Sequence, residues 1–289
     1  MFNVIKMDIY RLVTSLYFKI CIVIVFLLNL FEAPFAKLIF NLTVKLLESV
    51  ETEEDPASLD LVWPNVLHVG NVIADQLGIF CTVSFLICIV IFSYDDIRHG
   101  YIKNIAGQLP SRGHTVISKF AVIQLSAIVF YLISIIGNSV GQLVIGEEVK
   151  FDMVFSGDFD LETGDFGSDK VFSMGQSFAE CIVKILLLST ICALILLLTT
   201  GIGSNMAATI AAILFGSGLT GIGYSLASST ISKLLRFEDF ALSDYMPDSL
   251  YRSDLFAEGR VLQSLITAVI LITVLLFVTI KLYSRKEIK

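Results

Sequence analysis

The chain has 289 residues, of which 55% are hydrophobic and only 16% charged, with a formal net charge of −7. Soluble domains carry about a quarter charged residues, so these totals exclude a purely soluble domain, and a nucleic acid is not among the expected partners. A helix needs about 20 mostly apolar residues to cross the hydrocarbon core, and several such stretches occur without the alternation of a membrane barrel.

Phe2, Ile5, Ile9, Leu12 and Val13 recur at helical spacing beside Lys6 and Arg11, which predicts an interfacial amphipathic helix over 1–13. The remainder, 14–289, reads as one transmembrane domain with spans at about 16–30, 76–92, 120–145, 175–199, 206–230 and 261–280. The first is read as uncleaved, because the "EAPFAK" after it lacks a clean A-x-A site. The connecting segments 33–75, 146–174 and 231–260 are acidic: two Lys against seven acids in the first, and two Lys against eight between Gly146 and Lys170. Segment 93–119 and both chain ends are net positive. The positive-inside rule then predicts an all-α protein with six crossings and both termini cytoplasmic. The five cysteines, Cys21, Cys81, Cys88, Cys181 and Cys192, all fall in apolar stretches without a C-x-x-C pair and read as buried free thiols.

The cytoplasmic segment "SYDDIRHGYIKNIAGQLPSRGHTVISK" has an apolar stripe of its own. Ile97, Tyr101 and Ile105 repeat every four residues, flanked by Ile102, and Pro110 stops the helix. Lys119 is read as an anchor at the start of the third span. A purely topological loop needs no stripe; a stripe needs something to cover it. The segment resembles the first cytoplasmic segment of ABC-2-type permeases, the membrane subunits of type-2 ATP-binding-cassette exporters. The matching residues are Asp95 or Asp96, Gly100, Lys103–Asn104, Pro110–Ser111–Arg112 and Ser118–Lys119. The layout is similar too: an N-terminal interfacial helix, six spans, and a partly helical outer segment before the last one. Size and layout resemble the subset that exports, or confers immunity to, bacterial peptides.

The resemblance implies a coupling helix that docks into a groove on a cytosolic ATPase. Ile97, Tyr101 and Ile105 would be its apolar anchors, with Ile102 alongside and Arg98, Lys103 and Arg112 in polar contact. It implies a dimer with a second permease copy or paralogue, in the plasma membrane of a bacterium, moving an amphipathic substrate such as a peptide, lipid or hydrophobic drug. The turn Gly201–Ser204 would be a second, minor contact. The chain has no G-x-x-x-x-G-K-[ST] loop, so ATP and Mg would be bound by the partner and the chain itself would be no enzyme. Neither H-E-x-x-H nor a catalytic constellation is present, and His68, His99 and His114 are scattered outside the spans.

Other residues offer weaker leads. Glu180 and Lys184 are four apart in the fourth span and can pair on one face. They either line a translocation path or form an interfacial pair reaching to water. Asn29 and Gln124 suggest a polar face toward a cavity. Gly216, Gly218 and Gly221 spell a dinucleotide fingerprint, but inside an apolar span. There the small residues Ala208, Ala212 and Gly216, with Ser217 and Gly221, read as helix packing. Asp158, Asp160, Glu162, Asp165 and Asp169 resemble an imperfect calcium loop and read as solvated acids, so no metal is expected. The competing function is a non-transporting sensor or immunity protein that binds cationic peptides at its acidic outer loops.

Overall fold

The computed structural model describes residues 2–50, 66–75, 77–98, 113–146, 148–155, 170–235 and 241–285. Ten α-helices occur among them: α1 (Phe2–Thr14), α2 (Leu16–Val50), α3 (Val69–Ala74), α4 (Ile79–Arg98), α5 (Gly113–Val144), α6 (Met174–Leu196), α7 (Asn205–Ser217), α8 (Thr220–Leu235), α9 (Pro247–Arg252) and α10 (Val261–Arg285). Five segments are long and apolar enough to cross a membrane, and a sixth if the bent pair α7–α8 counts as one. The chain is a helical membrane protein.

The helix that carries the expected first span extends well past residue 30. α2 runs on through Pro34 to Val50, 35 residues in all, or about 52 Å at 1.5 Å per residue. Proline cannot supply the N–H that would bond to the Leu30 carbonyl. Membrane helices tolerate this where a neighbour approaches the freed group, and here α5 does so. Gly141 packs so closely that a Cβ on it would lie 2.5 Å from the Leu30 oxygen. One turn earlier, a Cβ on Gly137 would lie 3.0 Å from both the Phe26 oxygen and the Asn29 Cβ. The two glycines let α2 and α5 meet backbone to backbone.

The fifth span also departs from expectation. α7 and α8 meet at 85°, because Gly218 caps α7 in the left-handed region, with φ +78°. Ala208, Ala212 and Gly216 do form a buried stripe. A Cβ on Gly216 would sit 2.8 Å from Val83 Cγ2 and 3.0 Å from its Cα, which places the stripe against α4. Ser217 and Gly221 do not extend it: Gly221 is exposed with nothing nearby, since the bend turns α8 away. The fourth span ends in a π-helical turn, Leu197–Ile202. Gly203 follows with φ +85°, and Ser204 caps α7 by accepting from the Ala207 N–H at 3.2 Å.

The two acidic connections are not simple loops. β1 (Val66–His68) pairs in parallel with β2 (Glu148–Lys150), and β3 (Met153–Phe155) pairs antiparallel with β4 (Lys170–Phe172). The Asn71 side chain donates to the Val154 carbonyl and accepts its N–H, both at 2.7 Å. His68 and Asp152 meet at 2.6 Å. These elements, with α3 and α9, form a cap over one end of the helices. The acidic run with Asp158, Asp160, Glu162, Asp165 and Asp169 lies outside the described residues. Buried side chains such as Phe85, Ile89, Ile123, Phe130, Leu187 and Ile191 form one core inside the bundle.

Gly141→Ala should drive a methyl group into the α2 backbone and cost about 1–3 kcal/mol. Gly223→Ala, with open space around it, should leave the unfolding temperature unchanged. Thermal unfolding of the detergent-solubilised variants, compared side by side, checks this.

Candidate functional site

Asn29 on α2 is 3% exposed and joins three helices. Its Nδ2 donates to the Val25 carbonyl at 2.8 Å and to Cys81 Sγ on α4 at 3.3 Å. Its Oδ1 accepts from Ser134 on α5 at 2.8 Å. Asn29 is thus satisfied within the protein, as a polar group in hydrocarbon requires.

Next to this junction is a cavity of about 590 Å³. α2 contributes Leu28, Glu32, Phe35 and Ile39, α4 begins along it with Ile79–Cys81, and α5 supplies Tyr131, Ser134 and Asn138. Phe35 and Phe80, 62% and 75% exposed, form an apolar rim. Among the described residues, Glu32 and Asp75 are its two acids, and no Lys, Arg or His lines it. Smaller cavities of about 350 and 200 Å³ adjoin it, sharing Val72, Asp75 and Asn138 with it. The first reaches His68 and the second reaches Lys184 and Asp254.

Glu180 and Lys184 are both buried, with Lys184 Nζ 3.0 Å from Glu180 Oε1. They are not a pair reaching to water. The Glu180 carboxylate also accepts the backbone N–H groups of Leu255 (3.2 Å) and Phe256 (3.4 Å). It therefore pins the cap segment to α6, while Lys184 faces the smallest cavity. Gln124 accepts from Ser189 on α6 and lines none of the three cavities. Of the four residues suspected from sequence, Asn29 and Lys184 reach a cavity, whereas Glu180 and Gln124 bind protein.

The expected docking residues Tyr101, Ile102, Lys103, Ile105 and Arg112 lie outside the described residues. So do the side chains of Ile97 and Arg98, although α4 extends to Arg98. The flanks of the segment are defined. α5 begins at Gly113, well before residue 120, which brings Lys119 inside the bundle at 1% exposure. Its ammonium donates to the Ser93 carbonyl of α4 at 3.0 Å. The neighbouring Ser118 hydroxyl donates to Asp8 of α1 at 2.6 Å, and Asp8 is 3.8 Å from Arg11. Lys119 is thus an internal clasp between α4 and α5.

Comparison with known proteins finds no matching family model, no matching curated protein and no matching solved structure. Any functional reading therefore stands on residues and geometry. Among the described residues, no group of three His, Cys, Asp or Glu side chains is placed to hold a metal ion. Cys21, Cys81, Cys88, Cys181 and Cys192 are free thiols, all buried except the half-buried Cys21.

The cavity residues Glu32, Asp75, Tyr131 and Asn138 escaped the sequence reading. Glu32 fell just past the assumed end of the first span. Had α2 been drawn through Pro34, a carboxylate in a spanning helix would have marked itself as functional. Asn138 carried the same signal inside the third span.

Glu180→Ala should destabilise the protein by about 3–5 kcal/mol, because Lys184 would remain buried and unpaired. Replacing both residues by Leu should recover only part of that loss. The Leu255 and Phe256 N–H groups would still lack their acceptor, at about 1–3 kcal/mol for each buried donor left unmade. Unfolding temperatures of the single and double variants test the ordering.

Proposed function

We propose that the chain is the permease subunit of an exporter energised by a separate cytosolic ATPase, as its resemblance to ABC-2-type permeases implies. The clasp at the base of α4 and α5 is the observation that carries the reading. The chain leaves α4 and returns in α5 across residues 99–112. The two helices are joined there by Lys119 and Ser93 and tied to α1 through Ser118 and Asp8. At their far ends the same helices wall the cavity. A load applied to the connecting segment would reach the cavity through two rigid elements.

In this reading the polypeptide crosses the membrane six times, with α7–α8 as a broken fifth crossing and both termini on the cytoplasmic side. The contacts support it. A Cβ on Gly201 would lie 3.7 Å from Leu282 and 3.8 Å from Thr279, so the last turns of α10 lie beside the far end of α6. This agrees with a topology in which the Lys- and Arg-rich chain ends and the 93–119 segment would lie on one side. The ATPase would grip Ile97, Tyr101 and Ile105, with Arg98, Lys103 and Arg112 contributing polar contacts. ATP and Mg would sit on that partner, and a second permease copy would complete the complex. The cargo is an amphipathic molecule reaching the cavity from the lipid.

The decisive experiment is affinity purification of the tagged chain from native membranes, followed by an ATPase assay. The unaltered chain should bring down an ATP-hydrolysing subunit. Combining Tyr101→Asp with Ile105→Asp should abolish its recovery while the permease still inserts and melts normally. Full recovery with the double variant would overturn the docking assignment.

A further inference from the structure

We propose that the cavity between α2, the α3–α4 junction and α5 is a binding site for an organic cation with an apolar body. The cationic head sits at Glu32 and Asp75, and the body lies against Leu28, Phe35, Ile39 and Phe80. The proposal deepens the transport reading, on which it rests for the idea that the cavity receives cargo, and adds the charge and shape of that cargo.

Three observations define the site. The first is charge. Glu32 and Asp75 line the same cavity, and among the described residues no basic side chain does. Basic groups nearby are engaged elsewhere: Lys184 by Glu180 at 3.0 Å, Lys37 by the Ile145 carbonyl at 3.2 Å, and His68 by Asp152 at 2.6 Å. Glu32 is exposed on a membrane-spanning helix and makes no hydrogen bond or ion pair among the described residues. Leu16 to Glu32 is about 24 Å of helix at 1.5 Å per residue, so the carboxylate lies well up the span. A carboxylate so placed is costly without a counter-charge.

The second observation is an unused polar group. Tyr131 is 3% exposed and lines the cavity. Its hydroxyl neighbours that of Tyr251 but, among the described residues, makes no hydrogen bond of ordinary geometry, and its oxygen accepts none. A phenolic oxygen has lone pairs to accept with, and an ammonium N–H would supply a donor for them. The ring, together with Phe35 and Phe80, also offers aromatic faces to a cation.

The third is size and access. About 590 Å³ lies within the range of small-molecule sites. The exposed rim of Phe35, Ile79 and Phe80 opens where acyl chains would lie. A hydrophilic ion would find no use for that rim, whereas a lipophilic cation would enter along it. An anion would meet two like charges.

The test is equilibrium binding of radiolabelled tetraphenylphosphonium to the full chain in phosphatidylglycerol nanodiscs, without ATP or any ATPase. Tetraphenylborate, the anion of the same shape, is the control. Saturable binding of the phosphonium and none of the borate is expected. Glu32→Gln and Asp75→Asn should each weaken it at least tenfold, while Glu148→Gln, on the exposed strand β2, should not. Glu32 makes no hydrogen bond or ion pair among the described residues, so Glu32→Gln should fold and decides the matter alone if Asp75→Asn does not. Equal binding of the borate, or undiminished binding by Glu32→Gln, overturns the proposal. A phosphonium ion has no N–H, so Tyr131→Phe should leave its affinity unchanged but weaken that of a long-chain primary amine. Competition by added phosphatidylethanolamine would identify the natural cation as a lipid ammonium headgroup, and no competition a free amphiphile; both keep the cationic site. Failure here leaves ATPase recovery untouched, and failure of that recovery leaves this binding untouched.

Discussion

Breaking a helix inside a membrane exposes carbonyls at one end and N–H groups at the other, with no water to take them. The bend at Gly218 leaves the same groups to be satisfied, and the structure turns on how that is done. The short helix α9 supplies both remedies. Arg252 donates to the Phe215 and Gly216 carbonyls at 3.2 and 2.5 Å, closing the end of α7. Asp248 accepts from Thr220, in the first turn of α8, and from Tyr224 at 2.8 Å. An acid therefore stands at a helix start and a base at a helix end, the arrangement the helix dipole favours. The same segment reaches further. Tyr251 accepts the Leu77 N–H at the head of α4 at 2.9 Å, and residues 255 and 256 donate to Glu180 of α6. The stretch 248–256 thereby holds four helices.

That hub explains why Glu180 and Lys184 can be buried together. A buried ion pair is seldom stabilising by itself, because desolvation offsets most of the attraction. Here the carboxylate has more to do, since it also takes two backbone donors from a turn that would otherwise leave them unpaired. The pair thus belongs to the cap's attachment. The cavity of about 590 Å³ belongs to a different polar system, built on Asn29, Ser134, Glu32 and Asp75 around α2 and α5.

Apolar runs, the interfacial spacing of α1 and the Ala208–Ala212–Gly216 stripe were legible in the sequence, because each depends on residues close along the chain. The errors share one cause. Pro34 and Gly218 carry similar local signals, yet α2 continues through the proline while the α7–α8 segment bends at the glycine. What decides is a partner far away in sequence: Gly141 takes up the backbone of α2, and Arg252 with Asp248 stabilises the bend. Glu180 and Lys184 could be paired from their spacing, but the backbone donors that bury them come some 75 residues later. Glu32 and Asp75 meet only through tertiary packing of α2 on the α3–α4 junction.

α4 ties these systems together. Cys81 bonds to Asn29 beside the cavity, and Ser93 bonds to Lys119 at the opposite end of the same helix. About 18 Å of helix separates them at 1.5 Å per residue, and between them Phe85, Leu86 and Ile89 are fully buried. Such a rod cannot bend locally without opening the core, so displacement at its base is transmitted to its head. Its head is held by Tyr251 through Leu77, which couples it to the hub at α9. A push from the 99–112 segment would therefore act on the cavity wall and on the cap together. The cavity and its closure would respond to one movement rather than two.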